Sequence, residues 1–151
     1  MSLIYLDYNC FQRSFDDLCK VKIKMEAIAC QWIFSLVEKE NIDLVWSFMH
    51  EDENVICPFF DRKIEVLRLS KLCKIKIDVN DQIYKEAKEF QVKGSLSSKD
   101  AIHLSCANYA NSDYLLTCDE KFRKRAKKRL NLNIRILNPI DYVKKEQKWE
   151  N

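Results

Sequence analysis

Two spacings of apolar residues alternate along this chain. Short runs at Ser2–Leu6 (SLIYL), Asp43–Ser47 (DLVWS), 114–118 (YLLTC) and 133–137 (NIRIL) read as buried strands, and Lys74–Val79 (KIKIDV) alternates as an edge strand would. Between them the spacing becomes helical. Val21–Lys39 carries Met25, Ala29, Trp32, Ile33 and Leu36, and residues 59–73 carry Ile64, Leu67 and Leu72 with charges between. Residues 81–91, 97–110, 120–128 and 138–147 have the same period, the last opened by Pro139, while 12–17 (QRSFDD) reads as a loop. Strands alternating with helices predict one α/β domain over residues 1–151. Its architecture is a three-layer α/β/α sandwich around a central, mostly parallel sheet of about five strands.

Composition narrows the classes. Hydrophobic residues at 47% and charged residues at 32% fit a soluble globular protein. The single glycine and two prolines argue for regular elements with short connections, against a Gly-rich nucleotide loop. No apolar run is long enough to cross a membrane, and MSLIYLDYN lacks the basic start and long apolar region of a signal peptide. The seven cysteines are odd in number and never spaced C-x-x-C, which disfavours a disulfide framework or a zinc site. A reducing cytoplasm is the expected compartment.

The net charge of +3 is modest, but Lys121–Arg129 holds seven basic residues and no acid. On composition a solvated helix face and a contact for a polyanion are equally good readings. Acids recur where the sheet edge should lie. Asp7 follows the first strand, Asp119 follows YLLTC, Asp100 opens a largely apolar helix, and Glu53 lies beyond Ser47. Each has an ordinary explanation: a turn for Asp7, a helix cap for Asp119, the positive end of a helix for Asp100 with Ser97 as cap, and solvent for Glu53. Together they read differently. Ligands of open α/β sheets bind beyond the C-terminal ends of the strands, and carboxylates converging there repel unless a hard divalent cation relieves them. Asn9, Ser47 and Thr117 add neutral oxygens at the same ends, suited to positioning carboxylates or water.

The stretches IYLDYN, VWSFMHEDEN, KGSLSSKDAIHLSCA and LLTCDEKF, with ILNPIDYV at the end, occur in the order found in PIN domains. The chain resembles that nuclease family, which includes VapC-type toxins and RNA-processing enzymes. KDAIHLSCA followed by LLTCDEKF is the most specific pair. The resemblance implies an acidic site of Asp7, Glu53, Asp100 and Asp119, holding Mg2+ or Mn2+, with Asn9, Ser47 and Thr117 as polar companions. A slip of one or two positions would choose Asp52 or Glu51 in place of Glu53. Tyr8 stands where the family often has a small Thr or Ser. The implied activity is metal-dependent hydrolysis of RNA phosphodiesters, leaving 5′-phosphate and 3′-hydroxyl ends. The implied setting is the toxin half of a bacterial type II toxin–antitoxin pair, with an antitoxin protein as partner and a homodimer as the assembly. Lys121, Arg123, Lys124, Arg125, Lys127 and Lys128, beside Asp119, are then expected to hold the RNA backbone.

Two readings compete with this one. A PIN-like module that binds RNA or protein without cutting is disfavoured by the presence of all four acids. A phospho-accepting receiver domain requires paired acids after the first strand, where LDYN has one. His103 and His50 are expected as hydrogen-bonded core residues, and Trp32 and Trp46 as core.

Overall fold

The computed structural model of the protein describes residues 1–146, so Gln147 of the expected last helix lies outside them. Five strands form one sheet: β1 (Ser2–Leu6), β2 (Ile42–Ser47), β3 (Ile75–Ile77), β4 (Tyr114–Leu116) and β5 (Arg135–Leu137). Their spatial order is β3-β2-β1-β4-β5, and every neighbouring pair is parallel. β1 is central. It is flanked by β2, the next strand in the chain, and by β4, so the direction of winding reverses between β1 and β4. A reversal of that kind opens a crevice at the C-terminal strand ends.

Alternating side chains of these strands bury into two separate cores. Ile4, Leu6, Leu44, Trp46, Tyr114 and Leu116 face α1 (Tyr8–Gln12), α2 (Val21–Glu38), α4 (Phe60–Ser70) and α8 (Pro139–Glu146). Tyr5, Val45, Leu115 and Ile136 face α5 (Asp81–Gly94), α6 (Ser98–Tyr109) and α7 (Glu120–Arg129). A short helix, α3 (Phe48–Val55), starts directly after β2. The three layers match the fold expected from the alternation of apolar spacings. A strand buried on both faces needs apolar residues at consecutive positions, as in Ile4-Tyr5-Leu6 and Leu115-Leu116, all fully buried.

Several local expectations change. Residues 8–12, of which only Gln12 was assigned, to a loop, form α1, and a 3₁₀ turn at Arg13–Phe15 follows within the expected loop. β4 stops at Leu116, so Thr117 and Cys118 leave the strand before the cap of α7. Trp46 is core, but Trp32 is 43% exposed. The buried stripe of α2 runs through Glu26, Ala29, Cys30, Ile33 and Val37, and Trp32 falls to its side. In α4 the buried residues are Val66 and Leu69, whereas Ile64 and Leu67 face outward.

Glu26 occupies a core position of α2 with no exposed surface. Its Oε1 accepts from Arg13 Nε (3.1 Å) and Nη2 (2.8 Å), and its Oε2 accepts from Asn138 Nδ2 (2.5 Å). Arg13 also bonds Asp16, which bonds Arg62 of α4. This network ties the segment after β1 to α2, α4 and the start of α8. Arg13→Leu would strand a dry carboxylate, and we expect a loss of about 3–5 kcal/mol in urea unfolding. Adding Glu26→Met should recover part of that loss, because the desolvated charge is then gone.

Candidate active site

The crevice at the switch point is a cleft of about 590 Å³ lined by Asp7, Tyr8, Asn9, Gln12, Asp16, Glu53, Ser97, Lys99, Asp100 and Asp119. All four predicted acids therefore meet in one cavity. Leu6 of β1 pairs with Leu116 of β4, so the next residues, Asp7 and Thr117, leave the sheet side by side. The backbone N–H of Asp7 donates to Leu116 O at 2.8 Å and extends that pairing. Thr117 Oγ1 donates to Asp7 Oδ2 at 2.7 Å and accepts from the Asp119 N–H at 3.0 Å. Asn9 Nδ2 also donates to Asp7 Oδ2, at 3.3 Å, and Asn9 Oδ1 accepts from the Cys118 N–H. Two of the three neutral companions thus orient the acids around the β1 and β4 ends.

Asp119 caps α7, with Oδ1 accepting from the Phe122 N–H at 3.2 Å. The ordinary reading of this residue holds, and the same side chain also lines the cleft. Asp100 sits in the first turn of α6, where Ser97 Oγ caps its N–H at 3.1 Å. Glu53 comes from α3, while Glu51 turns away to accept from Trp46 Nε1 at 3.0 Å. Asp52 lines a separate hollow beside β2 and β3. Of the three neighbouring acids, Glu53 is the one in the cleft.

Ser47 does not line this cleft. It caps α3 from within the core, 1% exposed, and its hydroxyl meets Tyr5. The Tyr8 hydroxyl turns inward and donates to Asn54 Oδ1 at 2.8 Å, so its ring forms wall rather than a polar contact for a ligand. His50 is a core residue, as expected. Its Nε2–H donates to Leu6 O at 2.6 Å and its Nδ1 accepts from the Ser47 N–H at 2.9 Å. Both nitrogens are therefore occupied by the neutral ring, and burial pushes its pKa well down.

Two further residues approach the acids: Lys99, which the sequence reading did not single out, and His103, which is a buried, hydrogen-bonded residue as expected. Lys99 lines the cleft, with Nζ 3.7 Å from Glu53 Oε2. His103, fully buried, touches Glu53 through Nε2 and lies 3.9 Å from Asp7 Oδ1. Asp7, Glu53 and His103 each present a donor atom within 4.8 Å of the others. His103 follows Asp100 by three residues and shares its side of α6.

The basic helix is only partly beside the acids. α7 starts at the cleft and runs away from it at ~1.5 Å per residue. Lys121, Arg123 and Lys124 belong to its first turns, and Arg123 Nη2 bonds Glu120 at 2.6 Å. Arg125 bonds Ser95 O, and Lys127 lines a hollow with Leu130, Ile134 and Leu137. Lys127 and Lys128 lie about one turn beyond Lys124. Phe122 and Ala126 face the core, as their four-residue spacing predicts.

The electrostatics are unfavourable to the chain alone. Asp7 is 5% exposed, and desolvation raises its carboxyl pKa against the lowering influence of His103 and Thr117. Burial, then the charges of Asp7 and Asp119, push Asp100 up to about 6. A cavity of oxygen donors carrying surplus negative charge fits a hard divalent cation. Asp7, Glu53, Asp100 and Asp119, which line the cleft, could hold one.

The PIN-domain family model matches residues 59–128, a stretch that includes Asp100 and Asp119. No curated protein matches the sequence. Among solved structures, the chain is similar to FitAcB from Neisseria gonorrhoeae, with 14% identity over 90% of this chain and 97% of that one and a TM-score of 0.58. It is likewise similar to VapBC2 from Rickettsia felis bound to a DNA fragment from its promoter. There the identity is 14% over 90% of this chain and 98% of that one, with a TM-score of 0.60.

Because the folded Asp100 pKa lies above that of an unfolded aspartate, the native state holds its proton more tightly between about pH 4 and pH 6. Its contribution to stability is present at low pH and falls as pH rises through that window. Asp100→Asn should therefore raise the melting temperature of the EDTA-treated protein at pH 7.5, and the gain should shrink below pH 5. Thermal melts across that range measure it.

Proposed function

We propose that this chain, whose residues 59–128 match the PIN-domain model, is a metal-dependent endoribonuclease of that family, the toxin component of a bacterial type II toxin–antitoxin pair. The observation that carries the proposal is the meeting of Asp7, Glu53, Asp100 and Asp119 in one cleft at the sheet's switch point. Mg2+ or Mn2+ held there would supply charge neutralisation at the phosphate and a more acidic attacking water. The chain's own residues do the rest. Asp7 is held by Thr117 and Asn9 through one oxygen, which fixes the orientation of the carboxylate. Lys99, at the rim, is a cation poised for a backbone phosphate once Glu53 is otherwise engaged. Lys121, Arg123 and Lys124 at the start of α7 continue that charge beyond Asp119, suited to a polyanion gripped without reading its bases.

The toxin reading also brings a protein inhibitor and a homodimer. Ile56, Phe59, Phe60 and Ile64 are exposed large apolar side chains, as partner-binding surfaces are. Arg62, stacked 4.9 Å over Phe59, reaches Gln12 and Asp16 at the cleft, so this apolar face adjoins the site. No helix among the described residues is long and apolar enough to cross a membrane. Free thiols at all seven cysteines accord with a cytoplasmic setting.

Mixed single-stranded RNA incubated with Mn2+ should be cut, and EDTA or Asp100→Asn should each reduce cutting by at least 100-fold with the fold intact. Cutting that survives both removes the metal mechanism. A folded, metal-binding protein that cuts no RNA makes it a binding module instead. Arg123→Ala with Lys124→Ala should weaken RNA binding and lower the slope of log affinity against log salt by about one to two. An unchanged slope, measured by fluorescence anisotropy, returns α7 to a solvated face.

A further inference from the structure

Behind Glu53, on the side away from the cleft, a line of polar side chains crosses the core. Ser47 Oγ lies 2.7 Å from the Tyr5 hydroxyl, and that hydroxyl lies 2.6 Å from His103 Nδ1. His103 Nε2 meets Glu53 Oε1. The direction of each bond follows from chemistry. A carboxylate only accepts, so His103 carries its hydrogen on Nε2 and accepts at Nδ1. With the neutral ring accepting at Nδ1, the Tyr5 O–H is the donor there and its oxygen is left to accept from Ser47. The far end cannot shift easily. His50 accepts the Ser47 N–H, donates to Leu6 O, and stacks on Trp46 at 4.9 Å.

The line draws on four elements: β2 supplies Ser47, β1 Tyr5, α6 His103 and α3 Glu53. Glu53 is also approached by Lys99, whose side chain is 56% exposed and 3.7 Å away. A long exposed lysine fixes a carboxylate poorly, whereas a buried ring held at both nitrogens fixes it well.

We propose that His103 is a positioning residue for the metal site: its Nε2–H occupies Oε1 of Glu53, and Tyr5 and Ser47 hold the ring so that Oε2 is presented to the cleft. This inference rests on the metal-dependent reading above and adds the device that aims one of its ligands. Outer partners of this kind typically change metal affinity by 10–100-fold.

Isothermal titration of the full chain with Mn2+ tests it without any substrate. Wild type, His103→Leu, His103→Gln, Glu53→Gln and the double variant His103→Leu/Glu53→Gln are compared, each checked for fold by circular dichroism. His103→Leu should weaken Mn2+ binding 10–100-fold, and His103→Gln, whose amide N–H can reach Glu53, should recover most of it. The double variant should bind no more weakly than Glu53→Gln alone, because His103 acts through that carboxylate. Unchanged affinity in His103→Leu overturns the proposal, as do additive losses in the double variant. Equal losses in the Leu and Gln variants overturn it too, making the ring nitrogen itself the ligand. Should His103→Leu fail to fold, Tyr5→Phe serves in its place: it leaves Nδ1 without a donor, a several-fold weakening is expected, and no change overturns the proposal. Wild type that binds no Mn2+ removes the metal reading itself, a result distinct from these.

Discussion

A nearly dry carboxylate stands at the centre of this molecule. Asp7 leaves the middle strand at the point where the winding of the sheet reverses, and it is buried from water beside three other acids. Nothing about that arrangement favours folding, since desolvation and like charge both oppose ionisation. It persists because the backbone leaves no choice. β1 and β4 are paired in register up to Leu6 and Leu116, so the residues that follow emerge together. Thr117 and Asn9 then satisfy one of the Asp7 oxygens. Much of the remaining structure serves to keep such a site from collapsing.

The two sides of the cleft are held by different means. On the β4 side, short hydrogen bonds between chain neighbours suffice, because Thr117, Asp119 and the start of α7 follow one another directly. On the β2 side, Glu53 sits on a helix of eight residues and needs support from outside it. That support comes through the core, from His103 and Tyr5. A third network, Arg13–Glu26–Asn138 with Asp16 and Arg62, fastens the segment carrying Gln12 and Asp16 at the mouth of the cleft. Charge repulsion at the site is thus borne by buried polar bonds elsewhere, the pattern expected where function opposes stability.

What could be read from the chain follows physical locality. The layer order, the parallel sheet and the strand ends came from apolar spacing, since a strand buried on both faces and a helix buried on one leave different periods. The acids after β1 and β4 were recognisable because each directly follows its strand. Glu53 was harder, lying among three acids on a short helix, and only the packing of α3 decided which one turns inward. Trp32 was misplaced because period alone cannot say which of two neighbouring stripes is covered.

By itself, then, the order of residues determined the fold class, the two cores, and the delivery of carboxylates to one edge, because these depend on spacing between near neighbours. The tertiary structure alone decided the rest. It put Glu26 inside rather than on the surface, set Ser47 behind the cleft, carried Lys127 and Lys128 away from it, and joined Tyr5 to His103 across a separation of 98 residues. These outcomes turn on which faces of distant elements meet. A hydrogen bond between elements far apart in the chain has no local pattern to announce it, because its distance and direction exist only after the cores have packed.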